Sequence, residues 1–117
     1  MNERKAPSHL RPTTKAWFNR VAARFDLEDH QVRLLTLAGE SWDRCCQARE
    51  ALRKFGLTYT DRFGAPRSRP ELAVERDSRI AFARLVRELG FDNVEPPAET
   101  GMAPSRGNSK RWRVPAI

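Results

Sequence analysis

Residues 28–55 carry an unbroken helical pattern, and its length governs what the chain can build. Leu35, Ala38, Trp42, Cys45 and Leu52 follow spacings of three and four, with Arg49 interrupting one position. Leu34, Leu37, Ala48, Ala51 and Phe55 widen that stripe. A face so wide calls for two packing partners, one within the chain and one from a neighbour. At 1.5 Å per residue the helix spans ~42 Å, more than so short a chain hides along one side. Asp26 is the expected cap, with Glu28 and Asp29 in the first turn, where the helix dipole favours negative charge. Gly56 suits the left-handed residue past the end. On the outer face, Glu40–Arg44 and Glu50–Lys54 stand in the favourable i, i+4 order.

The flanking patterns complete a mainly α fold. Thr13 or Thr14 is expected to cap a first helix, on which Trp17, Phe18, Val21, Ala22 and Phe25 share one face. Lys15, Arg20 and Arg24 lie off that face. After the long helix, Leu57-Thr58-Tyr59-Thr60 is rich in β-formers, and Asp61-Arg62-Phe63-Gly64 has the layout of a type I turn. Residues 65–69 form the return strand, confined to an edge by Pro66. Pro70 fits the first position of a last helix and Glu71 its first turn. That helix carries Leu72, Ala73, Ile80, Ala83 and Val86, together with Phe82, Leu85 and Leu89, on a broad face ended by Gly90. The expected architecture is a helical hairpin built on the long helix, with a short β-hairpin between helices and disordered basic termini. Residues 1–12 are expected to be a flexible basic arm, 13–90 the folded unit, and 91–117 a Pro-containing basic tail.

The chain has 117 residues and a net charge of +7. Residues 13–90 make one small domain whose core supplies about 3–5 kcal/mol alone, so oligomerisation is expected. The charge is unevenly placed. Residues 1–24 hold six bases against one acid, while 28–56 and 70–90 are neutral. Residues 57–69 hold three bases against one acid, 91–100 three acids, and 101–117 four bases. Positive charge on arms and a loop neutralises phosphates and releases counterions. The candidate DNA contacts are therefore Arg11, Lys15, Arg20 and Arg24, then Arg62, Arg67 and Arg69, and finally Lys110, Arg111 and Arg113 beside Trp112. The chain start lacks a leader pattern, and no apolar run approaches a spanning helix, so a cytoplasmic protein without a membrane partner is expected. Cys45 and Cys46 are adjacent and expected to be free thiols.

Catalytic constellations are weak. Zinc sites favour paired cysteines spaced by two to four residues, and neither cysteine has such a partner. His30 is the only histidine to weigh against Cys45 or Cys46 as a base, yet it lies ~22 Å away along a shared helix. Glu40 and Asp43 read as a solvated face beside Arg44, and Trp17 and Trp42 as core or interface anchors. There is no glycine-rich phosphate loop. The expectation is a protein without enzymatic activity or cofactor.

The ordered set Leu34-Leu35, Trp42-Asp43-Arg44, Gly56-Leu57, Gly64 before Pro70, Arg79-Ile80-Ala81-Phe82 and Arg87-Glu88-Leu89-Gly90, with Trp17 upstream, resembles the small subunit of tailed-phage terminases, in the cos-type phage and prophage branch. The resemblance spans about residues 10–92. It implies a subunit that assembles into a homo-oligomeric ring of helical staves and binds double-stranded phage DNA at the packaging site. It also implies recruitment of the terminase large subunit, the ATPase and nuclease of viral genome packaging, in the host cytoplasm. The chain departs from the family in lacking a long, separate N-terminal helix-turn-helix domain. DNA is then either read by a groove-inserted helix or gripped by basic arms and the ring surface. Two other readings remain open: a dimeric helix-turn-helix-like DNA-binding regulator using Lys15, Arg20 and Arg24, and a protein adaptor docking through residues 110–117.

Overall fold

The structure, a computed structural model, describes residues 5–91 and 94–99. It is mainly helical, with α1 at Pro12–Arg24, α2 at Asp29–Phe55 and α3 at Glu71–Leu89. A two-stranded antiparallel hairpin, β1 at Thr58–Thr60 and β2 at Pro66–Ser68, stands between α2 and α3. Its register pairs Thr58 with Ser68, Tyr59 with Arg67 and Thr60 with Pro66. The helical hairpin on a long central helix is thus present as expected, and the β-hairpin sets its turn.

Helix starts differ from expectation in instructive ways. Helix α2 is capped by Glu28, not Asp26, and the Glu28 N–H donates to Gln31 Oε1 at 2.9 Å, the return bond of a capping box. Neither Thr13 nor Thr14 caps α1, which opens on Pro12 after Arg11. Thr14 is fully buried and donates its hydroxyl to Asp43 Oδ1 at 2.5 Å, while Asp43 Oδ2 accepts the Arg11 N–H at 2.9 Å. The carboxylate that ties down the start of α1 therefore comes from α2, a tertiary capping arrangement that sequence spacing does not encode. Pro70 sits at the N-cap of α3, one residue outside the expected first position. Gly56 has the expected positive φ, 88°, but with ψ at 176° it lies outside the left-handed helical region. The chain accordingly leaves α2 extended, straight into β1.

The core gathers where all three helices meet. Trp17, Phe18 and Val21 from α1, Leu35 and Ala38 from α2, and Phe82 and Leu89 from α3 are buried. Phe82 lies between two tryptophans, with ring centroids 5.7 Å from Trp17 and 4.9 Å from Trp42, both tilted. Such tilted pairs set a ring edge against a neighbouring face and are favourable beyond area burial. The broad apolar face expected on α3 is split. Phe82 and Leu89 are buried, and Leu85 and Val86 half-buried, whereas Ala73, Ile80 and Ala83 face outward.

The packed unit extends past residues 13–90 at both ends. Of the residues expected in the flexible arm, His9, Leu10 and Arg11 lie on α2 and the Ala6 N–H donates to Asn19 Oδ1 on α1 at 3.1 Å. Leu10 is buried against Gly39, where an added Cβ would sit 3.1 Å from both Leu10 Cδ1 and Thr14 Cγ2. After α3, Phe91 stacks on Phe25 at 4.0 Å, and the Trp17 indole N–H donates to the Glu95 carbonyl at 2.5 Å. Glu99 then reaches Arg49 at 3.0 Å and Arg53 at 3.5 Å. Residues 91 and 94–99 thus lie as a strap along the helices.

Candidate nucleic-acid interface

The hairpin carries the densest group of candidate contacts. Asp61 organises its turn: Oδ1 accepts the N–H groups of Phe63 and Ala65, each at 2.9 Å, and Oδ2 accepts Arg67 Nε at 3.0 Å. Those donors, led by the Ala65 N–H and then the Arg67 guanidinium, hold the Asp61 carboxyl below its ordinary range. Gly64 takes φ +82°, which a side chain would oppose, and its N–H closes the turn on the Asp61 carbonyl at 3.0 Å. Arg62 lies 5.0 Å from the Phe63 ring centroid. Arg69 lies between the rings of Phe55 and Tyr59, at 5.4 and 5.8 Å, and its N–H donates to the Leu57 carbonyl at 2.9 Å.

Sequence reasoning missed the aromatic half of this surface. Phe55, Leu57, Tyr59 and Phe63 are all exposed, Phe63 by 80%. Lys54, absent from the candidate set, caps Phe55 with its ammonium 5.2 Å from the ring centroid. The signal is present in the pairs Lys54-Phe55 and Arg62-Phe63, each a cation beside a ring; the wide apolar stripe takes Phe55 for packing, and the turn layout takes Phe63 for a turn residue.

The other candidates are distributed differently. Arg11 is committed within the chain, its guanidinium pairing both nitrogens with Glu50 at 2.8 and 3.0 Å. That bond raises the Arg11 pKa and lowers that of Glu50. Arg20 and Arg24 are exposed and line a groove of about 560 Å³ with Trp17, Val21, Ala23, Val94 and Glu95. Lys15 is half-buried. Because α1 begins beside Asp43 and returns toward the start of α2, Arg20 and Arg24 lie toward one end of α2 and the hairpin at the other. Arg62, Arg67 and Arg69 are brought together, and the α1 bases are not brought to them. Lys110, Arg111 and Arg113 lie outside the described residues.

Arg49, which interrupts the stripe of α2, is a structural hub. It donates to Glu75 on α3 and to Glu99 on the strap, each at 3.0 Å, and lies 5.8 Å from the Trp42 ring centroid. Burial opposes ionisation of Glu75, but Arg49 and Arg79 outweigh it and its pKa falls.

Of the residues weighed for catalysis, Cys45, Glu40 and Asp43 have partners within the fold. Cys45 and Cys46 are buried and unbridged, and desolvation pushes the Cys46 thiol up to about 11. Glu40 pairs with His9 at 2.7 Å, and Asp43 is occupied by Thr14 and Arg11. Among the described residues, no helix is long and apolar enough to cross a membrane. Comparison of the chain with protein-family models, curated proteins and solved structures finds no match.

Proposed function

We propose that the chain is a terminase small subunit: a DNA-binding, ring-forming protein that recognises a viral packaging site and delivers it to the large ATPase–nuclease subunit. The observation that carries this reading is the two-sided α2–α3 hairpin. One side closes the core through Leu35, Trp42, Phe82 and Leu89, while Leu37, Val74 and Ile80 remain exposed on the other surfaces of the same helices. Apolar residues on helices that already have a core are suited to neighbours, as staves of a ring require. The cation-rich hairpin and the basic terminal segments supply phosphate contacts. In this role the chain needs neither catalytic groups nor a cofactor, and its site is a surface.

The reading is tested by light scattering combined with fluorescence anisotropy on a labelled duplex across a salt series. A discrete ring-sized mass and an affinity falling steeply with salt support it. A monomer at micromolar concentration, or no DNA binding at low salt, refutes it. The exposed Arg20 and Arg24 beside the α1 groove favour a second reading, a dimeric DNA-binding regulator, and a mass of two chains would select it.

A further inference from the structure

Four exposed apolar residues, Phe55, Leu57, Tyr59 and Phe63, occupy one end of the molecule. Phe63 is extreme among them, 80% exposed at the tip of a turn organised by Asp61. Both orientations of its backbone are fixed: the Phe63 N–H is bound by Asp61 Oδ1, and the following Gly64 N–H by the Asp61 carbonyl. Asp61 Oδ2 also grips Arg67 on the return strand. A five-residue turn carrying so many internal bonds is preorganised, so the ring is presented by a stiff support. Arg62 stands beside this ring, and Lys54 beside that of Phe55. Among the described residues, Lys54 and Arg62 have no acidic partner, each lying instead against its neighbouring ring. The acid of the turn is spent on the turn itself.

We infer that Phe63 is a wedge that enters the minor groove of bound duplex DNA and partly unstacks one base step, with Arg62, which has no acidic partner among the described residues, on a flanking phosphate. The inference rests on the DNA-binding reading above and specifies its mode. A minor groove is ~6 Å wide and admits a single apolar side chain, and apolar wedges kink the duplex toward the major groove. The two-stranded ribbon behind the tip is too short to wrap DNA, so its effect is local. Charge selects DNA over a second copy of the chain as occupant. Against another apolar surface, Lys54 and Arg62 would be stripped of water without a counter-charge, whereas a phosphate backbone supplies one on each side of the inserted ring.

The test uses the full chain with a short AT-rich duplex containing one TpA step, a step that deforms easily. 2-Aminopurine beside the step reports unstacking, and an end-to-end fluorophore pair reports bending. The wild-type protein at low salt is expected to raise the 2-aminopurine signal and shorten the end-to-end distance. Phe63→Ala loses both and weakens binding roughly ten-fold, while Phe63→Leu, still an apolar wedge, retains them. Since Phe63 is exposed, its replacement leaves the fold intact, which unchanged helical circular dichroism verifies. Phe63→Ala binding and bending DNA like the wild type overturns the wedge and leaves DNA binding standing. A smaller assembly mass for Phe63→Ala with unaltered DNA signals also overturns it, and assigns the ring to a protein neighbour. Absence of any DNA binding by the wild type removes the underlying reading instead.

Discussion

Trp17 donates its indole N–H to the backbone carbonyl of Glu95 at 2.5 Å, joining residues 78 positions apart in the chain. This bond holds the strap after α3 against α1. Trp17→Phe keeps a ring in the core and removes the donor, which is expected to cost about 1 kcal/mol. The sensitive readout is hydrogen exchange. Amides of Val94, Glu95, Ala98 and Glu99 should exchange faster in the variant, with those of α2 little changed. Equal protection of the strap in both proteins would show that the bond does not hold it.

Asp43 serves two donors at the start of α1, the Thr14 hydroxyl and the Arg11 N–H. Asp43→Ala leaves the Thr14 hydroxyl buried without its partner, a loss of about 2 kcal/mol in urea unfolding. Asp43→Asn retains acceptor capacity on one oxygen and should lose about half as much. An Asp43→Ala variant as stable as the wild type would mean that Thr14 finds another partner.

Cys45 and Cys46 are buried, and burial raises both thiol pKa values. The thiolate is the reactive form, so reaction with Ellman's reagent at pH 8 is expected to be slow in the native protein. Both thiols should titrate at once in denaturant. Rapid native labelling would contradict the packing of α2 at these positions.

Glu50, Asp61 and Glu75 all have folded-state pKa values below their ordinary ones. Groups lowered on folding contribute fully above the unfolded pKa and lose that contribution as pH falls through the folded pKa. Stability from these groups is therefore expected to be level between pH 5.5 and 8 and to decline below about pH 4.5. Thermal unfolding followed by circular dichroism checks this. A melting temperature that rises on acidification to pH 3.5 would contradict the assigned ion pairs.

The periodicities of 13–25, 28–55 and 70–89 were sufficient to place three helices, and the turn layout of Asp61–Gly64 placed the hairpin, because both signals are local. What escaped was tertiary. Leu10 is a single apolar residue in a polar stretch, and only its fit over Gly39 makes it part of the core. A glycine inside a helix costs about 1 kcal/mol relative to alanine, so Gly39 was the available hint of a close approach. Asp43 reads as a surface acid in a helical wheel, yet it closes the start of α1. Of the candidate contacts, the clustering of Arg62, Arg67 and Arg69 followed from chain proximity. The diversion of Arg11 to Glu50, 39 residues away, had no local sign. Arg49 looked like a flaw in the stripe, and its three partners lie on two other segments and on Trp42.

Native mass spectrometry of the full chain, with and without a candidate packaging-site duplex, tests the proposed ring-forming DNA-binding subunit most directly. The account predicts a closed oligomer of one fixed subunit number that gains a duplex at low ionic strength and releases it as salt rises. A monomer in both conditions, or an oligomer that never takes up DNA, would contradict it.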